Sequence, residues 1–264
     1  MSTEPRPSAA RRAWHRARAC LEFFIGRRAL DGALDAVGFF RLRSFLLASP
    51  VELPGGVSLL ARPDDRKILD EVFTEEVYGA VSIRADDVVV DAGAHIGSFS
   101  VWAARRCPQG RVVAFEPAPI NLDLLRRNLA RNGCRNVTVV PAALGASPGT
   151  ARLRWLGDFS MYTLDPTRGD TASFAAPVES LDAALARLGV TRVGVLKIDA
   201  ERSEAEVLRG ASAILPRTRE VVAEISKDAG LPEAARGLLE AAGLPWRVVW
   251  ESEGALVVHA RRPG

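Results

Sequence analysis

The stretch VVVDAGAHIGSF, Val88 to Phe99, decides the reading of this chain, together with VVAFEP from Val112 to Pro117. Three valines without alternation read as a strand covered on both faces. That strand ends in an acid, Asp91, and a turn bearing Gly93 and Gly97 leads into a helix. A second apolar strand ends in another acid, Glu116, 25 positions after Asp91. Strand, glycine turn, helix, strand and acid in this order build a pocket for an adenosine-containing ligand at the carboxyl edge of a parallel sheet.

The first acid selects among such ligands. In dinucleotide folds the glycine turn faces a pyrophosphate, which a carboxylate at its mouth would repel. S-adenosylmethionine has no phosphate and carries an α-ammonium and a sulfonium, which a carboxylate attracts. Asp91 therefore points to S-adenosylmethionine as cofactor, and the chain reads as a methyltransferase. Gly93 and Gly97 would let backbone and ligand approach closely, and the turn through Ala94 and His95 would present amides to the methionine carboxylate. His95 stands where many methyltransferases carry a further glycine. Glu116 would accept hydrogen bonds from both ribose hydroxyls, with Pro117 beside it. Pro141, Ala142 and Ala143, ending the third strand, would line the adenine side.

From there the βα alternation runs outward. Strands are expected near 87–91, 111–116, 137–141, 193–198 and 219–225, and helices near 98–106, 119–132, 204–214 and 232–242. Pro119 suits the first turn of its helix. Ser203 and Glu206 have the S-x-x-E spacing of a capping box. WRVVWESEGALVVHA closes the chain as a hairpin, so the sheet would have seven strands with one antiparallel, an α/β Rossmann-like architecture. About 50 residues, Leu144 to Thr191, separate the third and fourth strands, with strand-like Thr150–Leu156 and helix-like Ser180–Leu188. Upstream, Pro50 to Pro63 reads as a hairpin around Pro54-Gly55-Gly56, and Arg66 to Tyr78 as a helix. Residues 1–47 form a basic helical extension and 48–264 the catalytic domain. Within the extension Trp14, Ala17, Leu21, Phe24 and Ile25 have helical spacing, suited to packing on the domain or to a homodimer contact. A membrane-surface role for it is less favoured.

A second constellation is LKIDAERSE, Leu196 to Glu204. Lys197, Asp199 and Glu201 alternate at the carboxyl end of the fourth strand, the ligand-facing edge. Asp199 could orient the acceptor, bind the cofactor ammonium or take a proton, and Lys197 could keep that carboxylate ionised. Glu224 joins the rim from the fifth strand. An ion-pair network that only supports the loop is the plainer alternative.

These blocks together resemble the FkbM family of S-adenosylmethionine-dependent methyltransferases, over about Glu71 to Ser226. The resemblance rests on the approach segment from Glu71 to Tyr78, VVVDAGAHIGSFS, AFEPAPINLDLLRRNLARN, SLD at Ser180 to Asp182, LKIDAE with EVLRGA, and VVAEIS. It implies methylation of a hydroxyl oxygen in a natural product or glycan, without a metal. The approach segment, through Glu75 and Tyr78, would cover the cofactor. Trp155, Phe159, Met161 and Tyr162 would contact the acceptor or belong to the core. The family usually reads K-I-D-x-E-G where this chain has Arg202 for the glycine. At positive φ an arginine costs on the order of 1 kcal/mol, and its guanidinium at the mouth suggests an anionic acceptor or a degenerate site.

Composition excludes several classes. The 264 residues are 48% hydrophobic, enough for a large core, and the net charge is only +3. That is too weak for nucleic acid without a basic face. Cys20, Cys107 and Cys134 have neither zinc nor disulfide spacing, which fits a reducing cytoplasm. No apolar run reaches the roughly 20 residues of a membrane span. Absence of [DN]-P-P-[YF] argues against base amino groups as acceptors. N-methylation of an amine or amide, a cofactor-binding protein without turnover, and a membrane-docked module remain as rival readings.

Overall fold

The structure is a computed structural model that describes residues 44, 47–155, 162–163, 170–228 and 230–263. The amphipathic extension expected over 11–47, with its dimer and membrane readings, lies outside the described residues apart from 44 and 47, as do Phe159 and Met161.

A hairpin comes first, β1 (Ser49–Leu53) and β2 (Val57–Ala61), followed by α1 (Arg66–Phe73). Then come β3 (Val88–Ala92), α2 (Ser98–Ala104), β4 (Arg111–Phe115), α3 (Pro119–Arg131) and β5 (Val137–Val140). Four strands of the long interval follow: β6 (Ala143–Leu144), β7 (Gly149–Trp155), β8 (Tyr162–Thr163) and β9 (Asp170–Glu179). The chain ends with α4 (Leu181–Arg187), β10 (Val193–Ile198), α5 (Glu204–Arg209), β11 (Thr218–Ser226), α6 (Leu231–Ala241), β12 (Trp246–Glu251) and β13 (Ala255–Arg261).

The main sheet has seven strands in the order β12-β13-β11-β10-β3-β4-β5. Its five central βα strands are parallel, and β13 runs antiparallel to both neighbours. This is the Rossmann-like class I methyltransferase fold. Alternate residues of each strand feed opposite cores, as a doubly covered sheet requires. Val89, Val112, Val195 and Val222 pack with β2, α1, α2 and α3. Val90, Val113, Leu196 and Val221 pack with α4, α5 and α6.

The hairpin is tied on by two asparagines one turn apart, Asn128 of α3 and Asn132 at its C-cap. Asn128 Oδ1 accepts from Leu60 N–H at 2.7 Å and its Nδ2 donates to the Leu60 carbonyl at 3.0 Å. Asn132 does the same for Ser58 at 3.1 and 2.9 Å. The two side chains thus satisfy the edge of β2 as a neighbouring strand would.

Four local expectations change. α1 stops at Phe73, and the chain turns through Glu76 at φ +49°. Tyr78 thereby folds back and is buried edge-on against Phe99, ring centroids 5.4 Å apart. α5 stops at Arg209, because the Gly210 carbonyl accepts from Asp182 N–H at 2.9 Å and its Cα meets the Gly145 backbone. The Ser203 capping box does not form: Ser203 makes no side-chain cap, and Glu206 pairs with Arg209. Ser180 caps α4 instead, accepting from Ala183 N–H at 3.3 Å. The long interval builds a second sheet, β6-β9-β7-β8, of which only β7 was legible beforehand.

Two glycine substitutions separate packing from backbone entropy. A Cβ on Gly210 would lie 2.1 Å from the Gly145 carbonyl oxygen, so Gly210→Ala should cost about 1–3 kcal/mol by overpacking. A Cβ on Gly237, inside α6, meets nothing within 4 Å, so Gly237→Ala should stabilise by about 0.5–1 kcal/mol. Thermal melts of the two variants are expected to move in opposite directions. A common direction would contradict this packing.

Candidate active site

The carboxyl ends of β3, β4, β10 and β11 open into a cavity of about 660 Å³. Tyr78, Gly93, Ala94, His95, Glu116, Pro117, Ala142, Ala143, Lys197, Asp199, Glu201, Arg202 and Glu224 all line it, so most of the residues singled out in the sequence converge there. Asp91 and Gly97 lie behind the wall. The side chains of Trp155 and Tyr162 themselves lie outside the described residues.

Glu116 occupies the end between β4 and α3. Its Oε2 accepts from His95 N–H and its Oε1 from Ala118 N–H, both at 2.8 Å, with Asn121 Nδ2 3.4 Å from Oε1. Burial pushes this carboxyl up, partly offset by His95 and these hydrogen bonds. Oε2 keeps a lone pair for a further donor, while Oε1 already takes two. Phe115, Ala142 and Leu144 supply apolar wall beside it, and Leu153 reaches the cavity from β7.

The glycine turn works differently from expectation. The Gly93 and Ala94 amides donate to the Phe115 carbonyl at 3.1 and 2.9 Å, and that of His95 goes to Glu116. None of these three is left for a methionine carboxylate. Gly93 has φ +83°, and a Cβ there would fall 1.8 Å from the Asp199 carbonyl oxygen. Gly97 has φ +91° and abuts Leu125. The close approach these glycines permit is therefore between strand ends and helix, not only towards a ligand.

Asp91 is fully buried and takes the Ser100 hydroxyl at 2.6 Å. Its cation is Lys197, whose Nζ lies 3.2 Å from Asp91, 3.5 Å from Asp199 and 2.8 Å from the Gly93 carbonyl. The attraction assigned to Asp91 for a cationic ligand is thus met inside the protein. Burial opposes the Lys197 charge, but Asp91 and Asp199 outweigh it and raise the ammonium pKa. Tyr78 lies over this centre, its ring centroid 5.9 Å from Nζ. Burial and the surrounding carboxylates push the Tyr78 hydroxyl well above its ordinary range.

Beyond Lys197 the cavity is acidic. Glu71, Asp199, Glu201, Glu204 and Glu224 share this end with Lys67. Glu71 of α1, rather than Glu75, reaches the cavity. Burial followed by the charges of Asp199, Glu224 and Glu204 pushes Glu201 up to about 8. Asp199 followed by burial does the same to Glu224, also to about 8. Burial holds Glu204 at about 7, against partial relief from backbone donors. A cavity end this rich in carboxylates fits a ligand bearing a sulfonium and an ammonium.

Arg202 has the expected positive φ, +78°, directly after Glu201 at +47°. Its guanidinium is paired with Asp228, which bridges the loops after β10 and β11 and offsets the charge once read as selecting an anionic acceptor. Sequence reasoning missed Asp64, Lys67, Ile68 and the hairpin turn at Ser252 and Gly254, which also line the cavity. It missed Arg62, Asp65 and Asn121 behind Glu116 as well. Among the described residues no group of three or more His, Cys, Asp and Glu is placed to hold a metal ion, and no helix is long and apolar enough to cross a membrane.

Fold and site together define an S-adenosylmethionine-dependent methyltransferase. The family described as "Methyltransferase FkbM domain" matches residues 91–243, and the chain belongs to it. Methyltransferase sdnD of Sordaria araneosa is 32% identical over 231 residues, covering 74% of this chain and 89% of its own length. The 31-O-demethyl-FK506 methyltransferase FkbM of Streptomyces tacrolimicus is 35% identical over 187 residues, 59% of this chain and 72% of that one. Among solved structures, Aeropyrum pernix fibrillarin with natively bound S-adenosyl-L-methionine is similar at a TM-score of 0.49 and 14% identity, covering 81% and 82% of the two chains.

The raised carboxyls have a consequence for stability. Glu201 and Glu224 hold their protons to about 8 in the fold against 4.5 for the free side chain. Between those values the unfolded chain binds fewer protons, so stability falls as pH rises. The ligand-free protein should therefore melt at progressively lower temperature from about pH 5 to about pH 8. Glu201→Gln/Glu224→Gln should flatten that slope. An unchanged slope would place the titrating groups elsewhere.

Proposed function

We propose that this methyltransferase transfers the methyl group in line to a hydroxyl oxygen of a small molecule, a natural product or glycan, without a metal. The carrying observation is the cavity's polarity, with the fixed carboxylate of Glu116 at one end and crowded, proton-retaining carboxylates at the other. S-adenosylmethionine bound there supplies a methyl group on a sulfonium, already a good leaving centre, so alignment and desolvation account for much of the rate.

In this reading Glu116 holds the ribose, and Pro117, Ala142 and Ala143 flank the adenine. Asp199, 3.5 Å from Lys197 Nζ, faces the cationic methionine end, and Tyr78 covers it. A hydroxyl of ordinary acidity gains from a base, and a base works best with a pKa near the working pH. Glu201, then Glu224, fits that requirement better than Asp199, which Lys197 already engages. The same carboxylates disfavour a carboxylate acceptor by like-charge repulsion. FkbM of Streptomyces tacrolimicus acts, by its name, on an oxygen, which supports a hydroxyl over an amine or amide.

Turnover with labelled S-adenosylmethionine and a panel of hydroxylated macrolides and glycosides should yield methyl ethers. Glu201→Gln should lower kcat by about 10²–10⁴-fold, with cofactor affinity changed only a few-fold, and Glu224→Gln should have a smaller effect. The rate should rise with pH and level off at or below about 8, since the bound cation favours the ionised carboxylate. Methylation confined to amines, or full kcat in both variants, would contradict the proposal.

A further inference from the structure

Behind Glu116 lies a charged network that the family match, beginning at residue 91, does not include. Arg62 follows β2, and Asp65 ends the short turn after it. Both side chains are completely buried. Arg62 Nε donates to Asp65 Oδ2 and Nη2 to Oδ1, each at 2.8 Å. The Arg62 amide adds a third bond to Oδ2 at 2.7 Å. Burial would raise the Asp65 carboxyl, but His95 and Arg62 together hold it well below the usual carboxylate range.

From this pair the network reaches the site by two routes. Arg62 Nη2 donates to Asn121 Oδ1 at 2.9 Å, and Asn121 Nδ2 faces Glu116 Oε1. Nη2 also lies 3.0 Å from His95 Nε2, which is 3.3 Å from Asp65 Oδ1. His95 in turn gives its backbone amide to Glu116 Oε2. Each Glu116 oxygen thus has a neighbour in contact with the Arg62–Asp65 pair.

Stability alone gives little reason for such a pair. A buried ion pair loses hydration that its mutual attraction only partly restores, and an apolar pair of similar volume is often as stable. Fixed orientation is what it adds: the planar guanidinium locks acceptors at set angles, as an ammonium on a flexible stem does not. The groups it orients, Asn121 and His95, both line the cavity and both touch the Glu116 end.

We propose that Arg62 and Asp65 are positioning residues of the cofactor site, which hold Asn121 and His95 so that Glu116 presents its carboxylate to the ribose at a fixed angle. This rests on the reading of Glu116 as the ribose acceptor. The N-terminal hairpin is then part of the cofactor site without touching the cofactor.

The test compares calorimetric affinities for S-adenosylhomocysteine and its 2′-deoxy analogue, in the wild type, Arg62→Lys and the paired Arg62→Met/Asp65→Leu. The paired variant leaves no lone buried charge, and Arg62→Lys keeps the charge while losing the fork. The wild type should prefer the ribonucleoside by about tenfold, one hydrogen bond to a charged group, and both variants should lose most of that preference. Loss confined to the ribose contact is something general loosening of the fold would not produce. Variants that bind both ligands more weakly but keep the wild-type ratio would overturn the proposal, as would a wild type that binds both equally. A folded wild type that binds neither would instead defeat the cofactor reading beneath it.

Discussion

One ammonium organises the centre of this protein. Lys197 sits on β10 directly opposite Asp91 of β3, its side chain 4% exposed. It joins Asp91, Asp199 and the Gly93 carbonyl across the sheet's carboxyl edge. Without it two acids and a carbonyl would face one another in a medium that screens charge poorly. With it, Asp91 is neutralised inside the wall and the glycine turn is pinned to the β10 loop. The acids left facing the cavity are Asp199, Glu201 and Glu224, of which Glu201 and Glu224 keep their protons to about 8. The polarity of the site is set by where this one cation is placed.

That placement explains what was legible in the sequence and what was not. The seven-stranded sheet could be read because strands covered on both faces are apolar without interruption, as Val88-Val89-Val90 and Val112-Val113-Ala114-Phe115 are. Glu116 could be read because its spacing from Asp91 is fixed by one βα unit. The role of Asp91 could not, since strand periodicity gives the face of a residue but not its partner 106 positions away. The glycines pointed to a tight turn correctly, yet only the packed structure shows Asp199 and Leu125 filling the space beside them.

Other features were hidden for related reasons. Arg62 and Asp65 lie three residues apart in a proline-bearing turn, a pattern common on exposed surfaces. Their importance comes from Asn121 and His95, brought close only when the hairpin docks on α3. The second sheet was half visible because β7 carries strand-like residues, whereas β9, Asp170–Glu179, mixes small and polar residues with little periodicity. Arg202 was recognised as a departure from the family pattern. Its pairing with Asp228 depends on the loop after β11, which no local spacing predicts.

Proton linkage on cofactor binding reads out this arrangement of charge. If the cationic cofactor settles against carboxylates that retain protons near neutrality, its arrival should expel some of them. Calorimetric titration with S-adenosylmethionine, in two buffers of different ionisation enthalpy, measures that release as a difference in observed heat. Net proton release is expected near neutral pH, largely absent in Glu201→Gln/Glu224→Gln. Binding with buffer-independent heat, or no binding by the folded wild type, would contradict it.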